Sequence, residues 1–512
     1  MNVKRTIGKT VPNLVMACCM AGLLWCGIAA ADGEDAALPS ADEAYAVADV
    51  ENATAYISAE HYVKPGFSSH LPIVLLEYPK GQNNEDNGMA QITIYEGMPR
   101  NTLNDAVANV ALAETSSLGE TENVPREKED LYLQLCDEDG LPVAHSLLGM
   151  DKNNKYYLIG AQYDRSLLRN YLGYSLAAQA MDSAPSVRFC ELLVRHEAGD
   201  LYQGVYLLVE RKQIENAQVY QRTALESGTL LNTYGLIDHR EDGYWTVPDT
   251  ETMGEAELEN ASVALSGVDA VIYSTDLNTF SQYERLIDVG SFIDFFIVNE
   301  VMGNYTAKAY AYYYYNAVEK RLYMGPVWDF EKALDNDAAN PMDRKSIQFS
   351  KDGYFVHLLQ SRSFINQLRQ RFLSLRKEVF SEDNYYALID GAVEYLGPAL
   401  QRDWQRWETF FTENEAMTLQ PLTEEKASDG SEVSVGKFSR AAQTHAQEVI
   451  RLKYILREHD LYMRHQLSRL EVDIGASQIR GREASYVENG LLFLGVLVLL
   501  IFIIQKARKY AT

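Results

Sequence analysis

The first half of the chain is built from short apolar runs separated by polar breaks, a pattern typical of β-strands. The runs are rich in the β-branched and aromatic side chains that fit a pleated, half-buried surface. We predict strands at Ile73–Leu76, Gln91–Tyr95, Leu131–Leu135, Tyr156–Gly160, Val187–Val194 and Gly204–Glu210. An acidic loop is expected before the third strand, and the last two strands are expected to form a hairpin through Glu197–Asp200.

The second half has apolar residues at the spacings that indicate amphipathic helices. Helices are predicted at Ile287–Met302, Phe364–Lys377, Tyr386–Leu396 and Ala441–Leu470. A further helix is predicted to open at Asp164 and to run to about Met181, with Asp164 or Ser166 capping its first amides. Residues 213–280 are mixed and turn-rich, and we expect them to form an insertion over the site. The predicted fold class is α+β, a mostly antiparallel sheet followed by a largely helical C-terminal part.

The N-terminus has the layout of a secretory signal peptide. Basic residues precede an apolar stretch from Leu14 to Ile28, and small alanines follow it. Cys26 would suit a lipoprotein signal, but Trp25 puts a bulky ring where such signals have a small residue. We therefore predict a signal peptide over residues 1–31 and an acidic tether over residues 32–60.

The C-terminus carries a candidate membrane anchor. Gly490 to Ile504 is uninterrupted apolar sequence, and basic residues follow it. A full span needs about 20 residues, so the neighbouring polar residues would lie in the headgroup region; a buried helix is the alternative. We predict a juxtamembrane segment over 471–488, a transmembrane helix over 489–505 and a cytoplasmic tail over 506–512. The protein is then expected in the cell membrane as a single-pass protein, with the bulk of the chain extracytoplasmic.

The charge of the chain limits its partners. The formal net charge is −26, and both ends are basic, so the predicted exported part is more acidic still. Nucleic acid and anionic membrane surfaces are therefore poor partners, whereas divalent metals and cationic proteins are better ones. Cys136 and Cys190 remain after the signal peptide, and they could form a disulfide or stay as two buried free thiols.

The segment Met324–Glu331 carries the most informative chemistry. It follows the aromatic strand candidate Tyr310–Tyr315, and Gly325–Pro326 breaks the strand before Asp329. An ionised carboxylate among apolar neighbours is costly unless a cation or a hydrogen-bond donor compensates it. Asp329 is therefore a candidate metal ligand of a phosphoryl-transfer site, or else a residue that caps a helix or holds a turn.

Further side chains with oxygen donors for a metal follow this segment. The donors are Asp335, Asn336, Asp337, Asn340 and Asp343, which could supplement Asp329 but lack the spacing of an EF-hand.

Familiar catalytic motifs are mostly absent. The chain has no Gly-x-x-x-x-Gly-Lys-Ser/Thr loop and no His-Glu-x-x-His. Gly173–Ala177 resembles a nucleophile elbow only faintly, because it lies within a predicted helix.

Four stretches in order give the chain a family resemblance. They are Leu71–Leu76, Asp164–Asn170, Gly204–Glu210 and Gly325–Phe330. This succession resembles the spore-coat CotH kinase family from about residue 70 to about residue 470, and we predict a CotH kinase-like ectodomain over residues 61–470. The resemblance implies an atypical protein-kinase-like fold that uses ATP and Mg or Mn to phosphorylate Ser or Thr of exported or coat proteins.

The resemblance also implies roles for individual residues. Asp329 corresponds to the metal-binding Asp of the family, and Asn336 falls where the family often has an Asn after this turn. Arg169, Lys212 and Arg211 are candidates for contacting nucleotide phosphates, with a surface or helix-stabilising role as the alternative for each.

Three departures from the family pattern bear on activity. Where the family has Gly-Asn-x-Asp with a catalytic Asp, the chain has Gly303-Asn304-Tyr305-Thr306, and an alcohol cannot accept a proton as a carboxylate does. Losing a positioned base removes about 10²- to 10⁴-fold in rate. Glu127 occupies a basic position that would face phosphates, and Glu331 replaces the second Asp of the metal turn.

These observations support three hypotheses. The favoured one is a degenerate kinase-like domain that binds a nucleotide or an exported or envelope protein with weak or no phosphotransfer. The second is an active Ser/Thr kinase in which Glu300 or Asp294 replaces the lost carboxylate, although Asp294 is expected on a solvated helix surface. The third is a structural envelope assembly protein that pairs through a helical apolar stripe, formed by Val449, Leu452, Leu456, Met463, Leu467 and Leu470.

Overall fold

The computed structural model describes most of the predicted ectodomain. The described residues all belong to one compact unit within residues 46–512. They are 54–79, 88–118, 128–211, 217–221, 224–226, 229–231, 263, 266–308, 311–316, 319–337, 342, 347–351, 353–413 and 444–467. The predicted signal peptide, juxtamembrane segment, transmembrane helix and tail lie outside these residues, as do most of the tether and the residues Lys212, Glu127, Asn340 and Asp343.

A closed barrel forms the N-terminal part of the described chain, with strand order β1-β2-β3-β4-β5-β7-β6. The strands are β1 (Ile73–Glu77), β2 (Gly88–Tyr95), β3 (Asn109–Ser117), β4 (Leu131–Cys136), β5 (Lys155–Ile159), β6 (Val187–His196) and β7 (Gly199–Glu210). Neighbouring strands pair antiparallel except β1 and β6, which pair parallel with Ile73 opposite Glu191. The predicted strands and the β6–β7 hairpin are confirmed, whereas the closure was not predicted. The strand β3, which pairs on both sides, was not predicted, and the acidic loop expected before β4 lies largely outside the described residues.

The barrel is filled by the inward-facing residues of its strands. Alternate positions such as Leu133, Leu158, Leu192 and Leu208 are almost fully buried in one apolar cluster. Cys190 lies in the same cluster, and both Cys136 and Cys190 are buried free thiols. The structure therefore favours the free-thiol alternative over a disulfide.

A second, three-stranded sheet carries the aromatic segment ahead of the site, in the order β12-β11-β8. Its strands are β8 (Ala217–Gln221), β11 (Tyr312–Asn316) and β12 (Arg321–Met324), while β9 (Ala224–Glu226) and β10 (Thr229–Leu231) form a separate pair. The aromatic strand was predicted, but it pairs antiparallel with a second strand, β12, which ends where Gly325–Pro326 begins. Asp329 therefore follows the second strand of a hairpin.

Helices make up most of the remaining described chain. They are α1 (Arg169–Ala180), α2 (266–272), α3 (Leu277–Phe280), α4 (Tyr283–Leu286), α5 (Val289–Val301), α6 (Phe355–Leu358), α7 (Arg362–Leu375), α8 (Glu382–Leu396), α9 (Pro398–Glu413) and α10 (445–467). The α+β class, with a sheet-rich part followed by a helical part, is confirmed. Within the described part of the chain, no helix is both long and apolar enough to cross a bilayer.

The helix starts show why these segments fold as they do. The Asp288 side chain accepts a hydrogen bond from the Ser291 amide at the start of α5, at 2.8 Å. At the start of α1, Asp164 accepts the Arg169 amide at 2.8 Å and Ser166 accepts the Leu168 amide at 3.1 Å. Both residues predicted to cap this helix therefore bind backbone amides, although regular helix begins only at Arg169.

Candidate functional site

The turn that carries Asp329 is held in an unusual backbone conformation. Asp329 has φ +51°, in the left-handed region that non-glycine residues rarely adopt. Its amide donates to the Tyr174 hydroxyl at 3.2 Å, and its carboxylate oxygen Oδ1 accepts the Glu331 amide at 3.0 Å. Burial raises the pKa of Tyr174 well above its usual value, so this hydroxyl stays neutral. The Asp329 side chain is half-buried, and its position on the turn is fixed by backbone contacts on both sides.

The segment Gly303–Thr306 lies directly against this turn. The Thr306 hydroxyl is 2.6 Å from the Asn304 side-chain oxygen and 3.2 Å from the Asp329 carbonyl oxygen. The Asn304 side-chain amide donates to the same Asp329 carbonyl at 2.9 Å and to Asn299 at 3.1 Å. Asn304 is fully buried and Thr306 nearly so. The structure therefore brings together Thr306 and Asp329, the two positions that the family resemblance identified.

Helix α1 packs against the turn that carries Asp329. The Phe330 amide donates to the Asn170 side-chain oxygen at 2.8 Å. The fully buried Phe330 ring lies so close to Gly173 that a Cβ on that residue would be 2.4 Å from ring carbons. Gly173 is thus required for close packing of the helix on the turn, and the Gly173–Ala177 segment is helical as expected rather than a nucleophile elbow.

The side-chain amide of Asn336 is held by two backbone carbonyls. Its side-chain nitrogen donates to the Tyr163 carbonyl at 3.0 Å and to the Glu331 carbonyl at 2.8 Å. Because both partners are acceptors, the orientation of the amide is fixed and its oxygen is the atom left for a ligand. Glu331 is nearly fully buried and accepts the Tyr163 amide at 2.6 Å, so this oxygen is used within the protein.

Asp329 and Asn336 are the candidate metal ligands of this loop. In the described part of the chain, no group of three or more His, Cys, Asp or Glu side chains could hold a metal by itself. Magnesium commonly uses one or two carboxylates together with substrate phosphates and water, so the two residues would hold a cation only together with such outside ligands. A cation held there would neutralise charge on the phosphates.

The two aspartates that flank Asn336 have other partners. Asp335 accepts the Met342 amide at 3.0 Å and the Arg451 guanidinium at 3.3 Å. Asp337 accepts the Tyr305 hydroxyl and lies 3.6 Å from the Lys332 ammonium. Both carboxylates thus contribute to holding the loop.

Arg169 is fully buried, and its guanidinium donates to groups of the protein. These are Asp164 at 2.6 Å, Glu448 at 2.6 Å and the Ala333 carbonyl at 2.9 Å. The phosphate-binding role of Arg169 and of Lys212 stays a prediction, and the contacts of Arg169 give it a structural role next to the Asp329 loop.

The two carboxylates proposed as replacements for the lost base are also bound to other groups. Glu300 is fully buried and accepts the Phe349 amide at 2.7 Å. Asp294 was expected on a solvated surface, but that expectation is wrong, because it is largely buried and accepts Arg371 at 2.7 and 3.1 Å. Burial raises the pKa of Asp294, and Arg371 opposes this rise.

Sequence reasoning missed two buried ion pairs between the barrel and α9. Lys128 lies 2.6 Å from Asp403, with both side chains almost fully buried. The adjacent Arg402 forms two hydrogen bonds of 2.8 Å to the carboxylate of Glu191. The two charged residues in the first half of α9 were visible in the sequence, but their partners, Lys128 ahead of β4 and Glu191 on β6, could not be inferred from it. Together the pairs fix the helix to the barrel.

A glycine on the barrel side makes room for Asp403, the carboxylate of the first pair. Gly204 on β7 has φ +110°, and a Cβ there would lie 2.3 Å from the Asp403 carboxylate. The Val205 amide donates to the same carboxylate at 2.8 Å. The Gly204–Glu210 stretch of the family resemblance therefore includes a glycine that admits the α9 carboxylate.

Comparison with known proteins agrees with the resemblance. The family described as CotH kinase protein matches residues 127–431, which is more than half of the chain. A search of curated proteins found no match. The matched residues include Thr306, Asp329 and Asn336, together with both partners of the Lys128–Asp403 pair. The chain therefore belongs to the CotH kinase protein family.

Proposed function

We propose that the chain is a membrane-anchored, exported CotH protein whose kinase-like domain binds a nucleotide with a divalent cation but transfers phosphate weakly or not at all. In this proposal residues 1–31 direct export, residues 489–505 anchor the protein, and the partner is an exported or envelope protein, with a cationic one favoured by the charge of −26. Family membership supports the proposed use of ATP with Mg or Mn.

The observation that carries the proposal is the contact between Thr306 and the Asp329 turn. The hydroxyl lies 3.2 Å from the Asp329 carbonyl, so the residue at the catalytic position is next to the candidate metal ligand. This contact supports the proposal that the domain keeps the arrangement that would align a base with a cation, with an alcohol in place of the base. Without a positioned base, transfer is expected to be slower by about 10²- to 10⁴-fold.

Binding and transfer can be measured separately. Calorimetric titration with Mn²⁺ and ATP should show binding to the wild type and loss of binding in Asp329→Asn. Asp390→Asn is the matched control, because it makes the same change at an exposed carboxylate paired with Lys453. Absence of Mn²⁺–ATP binding to the wild type would refute the nucleotide part of the proposal.

Transfer of labelled γ-phosphate to a casein-like substrate, or to the protein itself, tests the role of Thr306. The wild type should show little or no transfer, and Thr306→Asp should increase it by about 10²-fold or more if the remaining site is intact. Wild-type transfer at a rate typical of kinases, abolished by Asp329→Asn, would show that the domain is an active enzyme.

The active-kinase alternative has one observation in its favour. The carboxylate of Asp337 binds the hydroxyl of Tyr305, the residue directly before Thr306. Asp337 is thus a carboxylate on the loop of Asp329 that also touches the catalytic segment. If it acted as the base, Asp337→Asn would abolish transfer in the wild type, whereas the weak-transfer proposal expects no measurable change.

The alternative of a structural assembly protein needed the apolar stripe to be exposed for pairing. Val449, Leu452, Leu456, Met463 and Leu467 are all buried within the described domain. A stripe that packs on its own domain does not offer a pairing face, so these residues give no support to self-assembly.

A further inference from the structure

Helix α10 lies beyond the family match, which ends at residue 431, yet its side chains bind three residues near the candidate site, Ser166, Glu300 and Asp335. The His445 ring binds the Ser166 carbonyl at 3.0 Å, next to the start of α1. The His459 ring binds the Glu300 carbonyl, near the end of α5 and just before Gly303–Thr306. Between these two contacts, Arg451 binds the Asp329 loop itself.

The contact of Arg451 belongs to a continuous chain of buried ion pairs. Glu448 accepts Arg169 at 2.6 Å and Arg451 at 3.0 Å, so it lies between two guanidinium groups. Arg169 in turn binds Asp164 and the Ala333 carbonyl, and Arg451 binds both the carbonyl and the carboxylate of Asp335. Removing one partner from a buried pair leaves an uncompensated charge, which is strongly unfavourable. This series of buried ion pairs therefore fixes α10, α1 and residues 333–335 relative to one another.

The loop held in this way has a strained backbone. Asp329, Leu334 and Asp335 have φ of +51°, +50° and +59°, and none of them is glycine. Such conformations persist only where surrounding contacts enforce them, and they concentrate at functional sites. The Leu334 amide donates to the Met302 carbonyl at 2.8 Å, and Arg451 holds the next residue. A contact from α10 thus stabilises the most strained part of the loop.

We propose that Arg451 is a positioning residue, which acts with Glu448 to hold the loop from Asp329 to Asp337 in the conformation that binds a cation and nucleotide. The inference rests on the proposed function for what the loop binds. The positioning itself does not depend on binding. The C-terminal helix, outside the family match, then completes the site and connects it to the part of the chain that leads toward the predicted anchor.

Hydrogen exchange of the full-length chain in detergent tests the positioning without any ligand. In Arg451→Met, the peptide that covers residues 327–337 should exchange about tenfold faster through local opening, while peptides from the barrel stay unchanged. Arg376→Met is the matched control. Arg376 also binds α10, through Asp460 at 2.6 and 2.7 Å, but it makes no contact with the loop. Equal exchange of the loop peptide in the two variants would overturn the inference.

Binding provides the second readout. At a temperature where both variants are folded, Arg451→Met should bind Mn²⁺–ATP about 10- to 100-fold more weakly, as for other groups that orient metal ligands, and Arg376→Met should bind like the wild type. If the wild type binds no Mn²⁺–ATP, the proposed function fails, whereas the exchange result still decides the positioning role.

A conservative variant covers the case in which Arg451→Met does not fold. Arg451→Lys keeps the positive charge but lacks the planar fork that reaches Glu448 and Asp335 together. Its loop peptide should exchange at a rate between those of the wild type and Arg451→Met. Wild-type exchange in Arg451→Lys would show that charge alone suffices and would contradict positioning by the guanidinium.

Discussion

The contact between Gly173 and Phe330 allows a sharp test of how α1 supports the Asp329 turn. In Gly173→Ala the new Cβ would lie 2.4 Å from two carbons of the Phe330 ring and 2.7 Å from a third. Carbon atoms pack at about 3.5–4.0 Å, so the ring has to move by about 1 Å. Phe330 is fully buried and packs edge-on against Tyr174, so its movement disturbs the core and the neighbouring Asp329.

Two opposing terms set the size of the effect. Alanine is favoured over glycine within a helix by about 1 kcal/mol. Overpacking a core costs about 1–3 kcal/mol, and the short distance places Gly173→Ala at the upper end. The free energy of unfolding should therefore fall by about 2 kcal/mol.

Gly391 provides a control with the opposite sign. It lies within α8, and no atom lies within 4 Å of the position where its Cβ would be. Gly391→Ala should therefore gain up to about 1 kcal/mol from helix propensity alone. Equilibrium unfolding in urea measures both variants against the wild type, and the two should differ by the overpacking term, about 3 kcal/mol.

A double-mutant cycle identifies the contact responsible. In a Phe330→Leu background the ring is gone, so Gly173→Ala should cost much less than in the wild type. Equal stability of Gly173→Ala and Gly391→Ala would refute close packing of α1 on the turn. An unchanged cost of Gly173→Ala in Phe330→Leu would show that another neighbour is responsible.

Three further predictions concern groups inside the domain. Thr306→Val leaves buried acceptors without their hydroxyl donor and should lower the free energy of unfolding by about 1–3 kcal/mol, whereas Thr306→Ser should lose less in the same urea titration. Burial alone would raise the pKa of Glu191, but Arg402 holds it below its ordinary value of 4.5, so its stabilisation is fully present above that pH and is lost as the pH falls through the lowered pKa. Glu191→Gln should lower the free energy of unfolding at neutral pH by about 3 kcal/mol. The difference in unfolding free energy between the wild type and Glu191→Gln should narrow as the pH falls below 4.5, and a constant difference would contradict this. Burial raises the pKa of the Cys136 and Cys190 thiols, so a thiol reagent should label both only after unfolding, and reductant should leave the unfolding midpoint unchanged.

Local sequence patterns predicted most of the secondary structure, because buried positions recur at a regular spacing along each strand and helix. The alternation around Leu133 and the helical spacing through Leu452 both reflect one face turned to a core. The strand β3 escaped prediction because its face is less apolar, with Glu114 exposed and Thr115 buried in a hydrogen bond to the Gly88 carbonyl. A buried polar residue in a strand removes the signal that alternation provides.

Contacts between distant residues could not be predicted from pattern alone. Lys128 and Asp403 are separated by 275 positions, and Arg402 and Glu191 by 211. Nothing in either local sequence specifies its partner, because charged residues are usually exposed. The closure of the barrel through β1 and β6 could not be predicted either, because it pairs two strands that lie far apart along the chain.

The juxtaposition of Thr306 and Asp329 could be predicted only because the family order placed both residues in one site. The structure shows how a threonine at position 306 fits the fold. A threonine hydroxyl can donate to Asn304, whose amide in turn donates to the Asp329 carbonyl, so each buried polar group in this group of three is satisfied. The alcohol is therefore accommodated by the present hydrogen-bond arrangement, which keeps the Asp329 turn in place whether or not the site performs chemistry.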